Sequence, residues 1–220
     1  MAPAPGAAVF IRANTRLTAP PLLPELRLHL ADEPFVLWER IERETGQRGL
    51  PVPFWAFPWA GGTALARYLL DHPGQVAGRV VLDLAAGSGL VGIAAARAGA
   101  AAVTASEVDP LAAAVIALNA QANGVTLAVT PGDLLGGRAR GADLVLAGDA
   151  CYEKRLADRI MAFLDRAGAS GARVLLGDPG RAYLPRAGLE PVASYDVPTW
   201  PGLEDARLKR ATVWQPAGRP

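Results

Sequence analysis

The chain has 220 residues, of which 51% are hydrophobic, and a formal net charge of +1 at pH 7. This length suits one domain with a sizeable core, and no uncharged apolar run approaches the roughly 20 residues that a membrane helix needs. The near-neutral charge offers no broad basic surface for nucleic acid. A single cysteine, Cys151, rules out an internal disulfide, and with only His29 and His72 beside it no zinc or Cys-His site can be assembled. We therefore expect a soluble protein without a metal, nucleic acid or membrane partner.

The first residues, MAPAPGAAVFIRANTR, lack the basic start and long apolar stretch of a secretory signal. Abundant Ala, Gly, Pro and Arg beside few Lys are typical of a GC-rich bacterial genome. We therefore expect a bacterial, cytoplasmic protein.

The first part of the chain is rich in proline. Residues 1–24 are expected to be extended or partly disordered at the start. A helix is predicted over Asp32–Glu44, because Asp32 can cap it, Pro34 fits its first turn and the apolar residues that follow have helical spacing. We expect both histidines, His29 and His72, to lie at the surface or at helix ends.

Residues 45–62 are crowded with Pro, Gly and large aromatic residues, so no regular element is expected there. The aromatic side chains are predicted to fill a hydrophobic groove; they are Phe54, Trp55, Phe57 and Trp59. Gly61 and Gly62 then open a predicted helix over Thr63–Leu70, with Thr63 able to cap it.

The stretch from Val80 to Gly92, VVLDLAAGSGLVG, combines a strand, a tight turn and the start of a helix. The apolar residues around Asp83 suit a buried parallel strand, and Gly87 and Gly89 allow a sharp turn that a ligand can approach closely. The next helix points its N-terminus at whatever lies over this turn. Gly87, Gly89 and Gly92 also satisfy G-x-G-x-x-G, a pattern typical of dinucleotide sites. Two classes of cofactor are therefore open at this point.

From residue 79 onward, strand and helix patterns alternate, which predicts a seven-strand, doubly wound α/β sheet with a Rossmann-like fold behind an N-terminal helical extension. The seven predicted strands are Arg79–Leu84, Ala102–Ser106, Thr126–Thr130, Asp143–Ala147, Arg173–Gly177, Pro191–Val197 and Leu208–Trp214. The predicted helices between them are Leu90–Ala98, Pro110–Asn123 and Glu153–Ala167. No linker divides this region, so we expect an extension over residues 1–62 and one main domain over residues 63–220.

Two acidic residues follow the second and third strands. Glu107 lies 20 residues after Gly87, the spacing at which a carboxylate reaches ribose hydroxyls. Asp133 can accept a hydrogen bond from the exocyclic amine of an adenine beside Leu134, although an ordinary loop aspartate fits the same pattern.

The fourth strand ends in AGDACYEK, which places Asp149 and Tyr152 at the carboxyl edge of the sheet, beside the glycine turn. Ligands bind at that edge, where the strand order reverses. Asp178 and Arg181 follow the fifth strand at the same edge, where they contact a substrate or form a turn. Cys151 is expected to be inert packing.

These residues resemble the motifs of a known family, the seven-strand (class I) S-adenosylmethionine-dependent methyltransferases. The matching positions are Asp83, Gly87, Gly89, Glu107, Asp133 and Asp149-x-x-Tyr152. A D-x-x-Y motif after strand four is typical of a group made chiefly of protein lysine methyltransferases. Within that group the likeness is greatest to the lysine methyltransferases of the electron-transfer flavoprotein beta subunit. It covers most of the chain and includes FIRANTRL, PFWAFPWAGG, LDLAAGSGLVGIAA, GDACYEK and DPGRAYLP.

The resemblance implies roles for these positions on the cofactor side. Asp83 holds the turn or receives the ammonium of S-adenosylmethionine through water. The backbone around Ala85 to Gly87 approaches the amino acid part, and Glu107 holds the ribose. Trp59 closes over the cofactor or packs in the core. Ala85 departs from the family pattern, which has a glycine there, so the turn geometry is open.

On the substrate side, the resemblance implies that Asp149 orients the lysine amine and that Tyr152 lines an apolar channel around the lysine chain. The expected partner is the electron-transfer flavoprotein beta subunit. Three alternatives stay open: a methyltransferase for another protein, such as a ribosomal protein, or for a small molecule; a nicotinamide dehydrogenase; and a non-catalytic binding protein.

Overall fold

The computed structural model describes residues 5–139, 141–200 and 206–218. In chain order its helices and strands are α1 (Pro5–Asn14), β1 (Arg16–Thr18), β2 (Leu28–Leu30), α2 (Pro34–Thr45), α3 (Ala60–Asp71), β3 (Val80–Leu84), α4 (Leu90–Arg97), β4 (Ala102–Glu107), α5 (Pro110–Ala122), β5 (Ala128–Pro131), β6 (Leu144–Gly148), α6 (Lys154–Ala169), β7 (Arg173–Asp178), β8 (Leu189–Pro198) and β9 (Leu208–Pro216). Single 3-10 turns lie at Phe54–Ala56 and Pro73–Gln75. None of the helices in these ranges is both long and apolar enough to cross a membrane.

The last seven strands form one sheet in the order β5-β4-β3-β6-β7-β9-β8. Strands β3 to β7 are parallel, and β9 is antiparallel to both of its neighbours. The chain leaves β3 toward β4 on one side and returns to β6 on the other, so a crevice opens at the carboxyl ends of β3 and β6. All seven predicted strands are confirmed, with ends shifted by one or two residues.

The central strands are buried on both faces, and successive side chains point to opposite sides. Val81, Leu144, Leu146 and Leu175 pack with α3 and α4. The residues next to them along the same strands pack with α6; they include Leu82, Val145, Ala147, Val174 and Leu176. This alternation explains why the strands appear in the sequence as continuous apolar runs.

The N-terminal extension packs against α4 and α5. Leu28 and Leu30 of β2 join the apolar side chains of α4 in one cluster, and Ile11 of α1 joins Val115 of α5 in another. The predicted extended start is wrong for residues 5–14, which form α1. The apolar face of this helix is stabilised by the contact with α5, which local composition does not reveal.

Two predicted helix caps need correction. Asp32 does not cap α2, because its carboxylate pairs with Arg16 and the N-cap residue is Glu33. Helix α3 begins at Ala60 with Trp59 as its N-cap residue, so Thr63 is a buried helical residue rather than the cap.

His29 is buried, where its backbone N–H donates to Asn119 Oδ1 at 2.8 Å; only His72, the C-cap residue of α3, is exposed as expected. The predicted domain boundary after residue 62 lies within α3, and the division itself stays a prediction.

Candidate active site

The glycine turn after β3 has the left-handed backbone that its sequence predicts. Gly87 has φ 54° and Gly89 has φ 79°. A Cβ atom on Gly89 would lie 3.1 Å from Cγ2 of Ile116, so the residue also needs the space. Ala85 takes the same backbone region at φ 49° and is exposed, so the turn forms without the family's first glycine. The left-handed region costs a non-glycine residue about 1–2 kcal/mol.

Asp83 ties the end of β3 to helix α4. Its side chain is buried, and Oδ2 accepts a hydrogen bond from the backbone N–H of Gly92 at 2.8 Å. Burial raises the pKa of this carboxyl to about 7, and the negative charge of Glu107 adds to the shift. Asp83 therefore stabilises the turn by linking the end of β3 to the first turn of α4. A contact between Asp83 and a cofactor ammonium stays a prediction.

Glu107 lies directly over the glycine turn. Its Oε2 accepts from the N–H of Gly87 at 2.8 Å, and its Oε1 accepts from the N–H of Val108 at 2.7 Å. The structure thus brings together the two residues that the 20-residue spacing paired. Oε1 also accepts from the N–H of Asp109 at 3.2 Å. A lone pair of Oε2 remains for a hydroxyl donor, which fits the ribose of an adenosyl group.

Asp133 is directed elsewhere. Its exposed carboxylate forms an ion pair with Arg159 at 2.5 Å and accepts from the N–H of Leu135 at 2.9 Å. The hydrogen bond from Arg159 is the main reason why the pKa of Asp133 is lowered. The contact of this carboxylate with an adenine amine stays a prediction.

Helix α3 rests on the ends of β6 and β7 through glycines on both sides. A Cβ atom on Gly61 would lie 2.4 Å from the carbonyl oxygen of Gly177, and one on Gly148 would lie 2.8 Å from Cα of Gly62. No side chain fits between these backbones. This close contact places the first turn of α3 at the carboxyl edge of the sheet.

Asp149 lies where this helix meets the sheet. Its side chain is buried, and Oδ2 accepts from the N–H of Gly61 at 2.7 Å. Its Oδ1 accepts from Nε of Arg181, also at 2.7 Å. The backbone has φ 58°, and its N–H donates to the carbonyl of Gly177 at 2.7 Å. An aspartate with a left-handed backbone conformation is strained, and here several fixed partners hold it in place. Strain of this kind concentrates at functional sites.

Three aromatic side chains flank this carboxylate. The ring centroids of Phe54 and Tyr152 are 5.2 Å apart, and those of Phe54 and Trp59 are 5.6 Å apart in an edge contact. The guanidinium carbon of Arg181 lies 5.6 Å from the centre of the Trp59 ring. Tyr152 is 45% exposed. We call Phe54, Trp59 and Tyr152 the aromatic mouth.

The phenol of Tyr152 does not ionise readily. Partial burial is the main reason why its pKa is raised, and the carboxylates of Glu107, Glu153 and Asp149 add to the effect. Tyr152 therefore offers a neutral ring, which agrees with the apolar lining predicted for it.

Asp178 is the last residue of β7, and Asp149 comes directly after the last residue of β6. Strands β6 and β7 pair in register at Gly148 and Gly177, so the two Gly-Asp pairs lie at the same height of the sheet. Asp178 Oδ1 accepts from the N–H groups of Gly180 and Arg181 at 2.6 and 2.7 Å. Its Oδ2 is buried without a hydrogen-bond partner, and burial raises the pKa of this carboxyl to about 6.

Sequence reasoning missed two parts of this site. Phe54 was expected to fill a groove, but it is 39% exposed and joins the aromatic mouth, whereas Trp55 and Phe57 are buried. The helix-on-strand contact at Gly61 was also missed. The repeated Gly-Asp at the ends of two successive central strands is the sequence signal that points to it.

Other reactive groups take no part in the site. Cys151 is fully buried, and burial raises the pKa of its thiol to about 12, in agreement with inert packing. Over the described ranges, no group of three or more His, Cys, Asp or Glu side chains is arranged to hold a metal ion.

Comparison with known proteins defines the class first. The family model of the ribosomal protein L11 methyltransferase (PrmA) matches residues 61–173, from α3 to the start of β7. The fold is shared with the solved structure of SMU.776 complexed with SAH, at a TM-score of 0.53 and 12% identity over 77% of this chain and 52% of that one. The glycine turn and Glu107 fit an adenosyl cofactor. The protein is a methyltransferase with S-adenosylmethionine as its methyl donor, and the dehydrogenase alternative is set aside.

Curated relatives define the family more closely. The electron transfer flavoprotein beta subunit lysine methyltransferase of Xenopus laevis is 38% identical over 93% of this chain and 85% of its own length. The protein of the same name from Danio rerio is 36% identical over 94% of this chain and 81% of its own length. The chain belongs to the electron transfer flavoprotein beta subunit lysine methyltransferase family.

Proposed function

We propose that this protein transfers methyl groups from S-adenosylmethionine to lysine side chains of the electron-transfer flavoprotein beta subunit. The observation that carries the proposal is the buried Asp149 carboxylate behind the aromatic mouth, beside the glycine turn. The similarity to the relatives spans the N-terminal extension as well as the sheet, because it covers 93% of the chain. It therefore includes the segment that contributes Phe54 and Trp59.

The residues at the glycine turn suit the cofactor's groups. The backbone from Ala85 to Gly89 presents a turn without bulky side chains, and Glu107 lies over it with a remaining lone pair on Oε2 for a ribose hydroxyl. When bound, S-adenosylmethionine supplies a methyl group on a positively charged sulfur. No metal or covalent enzyme intermediate is needed for this transfer.

The aromatic mouth suits a lysine side chain, which has an apolar stem and a cationic tip. Phe54, Trp59 and Tyr152 offer ring faces for the stem and for a methylated ammonium. Asp149 lies behind them and accepts a hydrogen bond from the amine, which directs the nitrogen lone pair. A carboxylate favours the ammonium form, so Asp149 is an orienting group rather than a base.

The protein's task in the chemical step is to align the two reactants. The lysine ammonium must lose its proton before transfer, because only the neutral amine has a lone pair on nitrogen. Bound S-adenosylmethionine would supply the methyl carbon to that lone pair, with its sulfur as the leaving group. The products are a neutral thioether and a methylated ammonium, so charge and atoms balance.

The direct test is to incubate the protein with purified beta subunit and labelled S-adenosylmethionine and then map the labelled peptides by mass spectrometry. We expect label on beta-subunit lysines. Label on ribosomal protein L11 or on small molecules, with none on the beta subunit, would favour the alternatives. The L11 alternative is retained because the L11 methyltransferase family model matches half of the chain.

Asp149→Asn tests the site itself. The amide keeps the shape and an acceptor oxygen but loses the charge, so we expect kcat to fall by at least about 100-fold. SAH binding, measured by calorimetry, should stay within a few-fold of the wild type. Asp158→Ala, which removes an exposed carboxylate of α6, is the matched control and should leave both values unchanged. Wild-type turnover in Asp149→Asn removes this residue from the site.

We further propose that the protein is bacterial and cytoplasmic and has no nucleic acid or membrane partner. The composition and the net charge of +1 support these points. Cell fractionation and binding assays with RNA and lipid vesicles test them.

A further inference from the structure

The guanidinium of Arg181 lies inside the site, and the proposed reaction as described above gives it no role. Arg181 donates from Nε to Oδ1 of Asp149 at 2.7 Å, and its guanidinium lies over the Trp59 ring. Its side chain is only 20% exposed. A positive charge is thus held against the same carboxylate and the same ring that would receive the substrate amine.

The fold holds Arg181 in this position from several sides. Asp178 accepts from the backbone N–H groups of Gly180 and Arg181, which turns the chain back toward β6. Asp149, the acceptor, is itself fixed by the N–H of Gly61 at the first turn of α3. Both partners of the ion pair are therefore anchored to the ends of neighbouring strands.

Within the part of the chain that the structure describes, charged groups face this point from several neighbouring elements. Asp149 after β6, Asp178 at the end of β7 and, farther out, Glu107 and Glu153 contribute negative charge. On the positive side are Arg181 and the N-terminal end of α3, whose dipole points at Asp149. Arg181 is the full positive charge that the described structure places in contact with the Asp149 carboxylate.

The balance of positive and negative charge around Asp149 affects whether the substrate amine is protonated. Uncompensated carboxylates would hold a lysine amine as ammonium, which has no lone pair for the methyl group. A guanidinium stays charged at all relevant pH values, so it repels an ammonium permanently without competing for its proton. We propose that Arg181 stays paired with Asp149 during catalysis and favours the uncharged form of the bound substrate amine.

The inference rests on the proposed function and makes Arg181 an electrostatic positioning residue. Once Arg181 is replaced, the carboxylates act on the amine without this opposing charge, and the amine releases its proton only at higher pH. The pH dependence of kcat reports this step, because it reflects groups in the enzyme–substrate complex.

The first experiment measures kcat against pH at saturating beta subunit for the wild type, Arg181→Gln and Arg181→Lys. In the plot of kcat against pH, the rising limb should lie about one pH unit or more higher for Arg181→Gln than for the wild type. Arg181→Lys keeps the charge and should hold the limb close to its wild-type position, even if kcat falls. Arg43→Gln, which changes an exposed arginine of α2, is the control for general charge effects.

The second experiment needs no turnover. Calorimetry in two buffers of different ionisation enthalpy counts the protons released when beta subunit binds to the protein in the presence of SAH. Near pH 8 the wild type should release more protons per bound lysine than Arg181→Gln. SAH affinity should be equal in both, which shows that the cofactor site is intact.

The outcomes separate the two proposals. An active wild type whose limb and proton release are the same in Arg181→Gln overturns the role of Arg181 alone. A lower KM in Arg181→Gln with an unmoved limb also overturns it, and shows that the guanidinium competes with the substrate lysine. A wild type that leaves the beta subunit unlabelled overturns the proposed function, and the inference with it.

Discussion

At the scale of single residues, backbone strain is concentrated at the site. Within the described ranges, the residues other than glycine with positive φ are Leu22, Ala85 and Asp149. Leu22 lies in the N-terminal extension, but the other two flank the crevice between β3 and β6. Ala85 shapes the turn and Asp149 aims its carboxylate at α3, so both strained residues serve the geometry of the site.

Ala85 and Gly89 give a matched pair of substitutions in the same turn. Ala85→Gly relieves a strained φ in an exposed position, so the free energy of unfolding should rise or stay within about 1 kcal/mol. Gly89→Ala introduces strain and a 3.1 Å contact with Ile116, so it should lose about 1–3 kcal/mol. Urea denaturation measures both. Equal losses in the two variants would show that the left-handed backbone is not what the turn requires.

Asp83 makes stability depend on pH. Its pKa is about 7 in the folded protein against 3.8 as the ordinary value, so the folded state keeps the proton longer than the unfolded state does. Stability from the neutral carboxyl is therefore full below about pH 4 and is lost as the pH rises through 7.

Asp83→Asn cannot ionise but keeps an oxygen to accept from Gly92. Its unfolding free energy, relative to the wild type, should therefore rise between pH 4 and pH 7, with a slope of at most about 1.4 kcal/mol per pH unit. Chemical denaturation at several pH values checks this, and other titrating groups cancel because both proteins share them. A difference that stays constant with pH would contradict the raised pKa.

At the scale of elements, the site depends on how closely α3 approaches the sheet. The backbone of Gly61 lies against that of Gly177, and the backbone of Gly62 lies against that of Gly148. A Cβ atom on Gly61, Gly148 or Gly177 would collide with the opposite backbone. This contact places the N–H of Gly61 against Asp149 and brings Trp59, the N-cap residue of α3, into the aromatic mouth. The glycines are thus needed for packing rather than for turning the chain.

Gly61→Ala tests this contact. The added methyl group would lie 2.4 Å from a backbone oxygen, so the helix must move away from β7 at a loss of about 1–3 kcal/mol or more. Because the hydrogen bond to Asp149 is disturbed as well, kcat should fall at least tenfold. Gly74→Ala is the control, since nothing lies within 4 Å of its Cβ, and its stability should change by no more than about 0.5 kcal/mol. Similar behaviour of the two variants would show that α3 tolerates a wider separation.

At the scale of the whole molecule, the extension shares its apolar clusters with the helices α3, α4 and α5 of the main domain. Leu23, Leu26, Leu28 and Leu30 pack with Ala66 of α3 and with Leu90 and Ile93 of α4. Asn119 of α5 adds a polar link, because it accepts from His29 and donates to the carbonyl of Ser88 in the glycine turn. The extension therefore helps to hold the glycine turn in place through Asn119.

A substitution in the extension should consequently destabilise the entire protein. Leu28→Ala removes a fully buried side chain and should lower the free energy of unfolding by about 2–5 kcal/mol. The transitions followed by far-ultraviolet circular dichroism and by tryptophan fluorescence should stay coincident. Leu17→Ala, an exposed leucine of β1, is the control. Separate transitions in Leu28→Ala would mean that the extension folds as an independent unit.

The amino-acid sequence alone predicted the seven strands along the chain, the glycine turn, the pairing of Glu107 with it and the location of Asp149 and Tyr152 at the carboxyl edge. These features follow from local patterns: apolar runs of strand length, glycines where φ must be positive, and the rule that parallel strands end at one edge. The resemblance of these motifs to a methyltransferase family pointed to the cofactor.

The partners of Asp149 and the placement of α1 and α3 became known only from the folded structure. Gly61 is 88 residues from Asp149 and Arg181 is 32 residues from it, so no local pattern relates them. Helix α1 is stabilised by α5, and the partly exposed ring of Phe54 packs on Tyr152. Such contacts depend on side-chain packing between elements that are distant in sequence, and packing is settled only when the whole chain is folded.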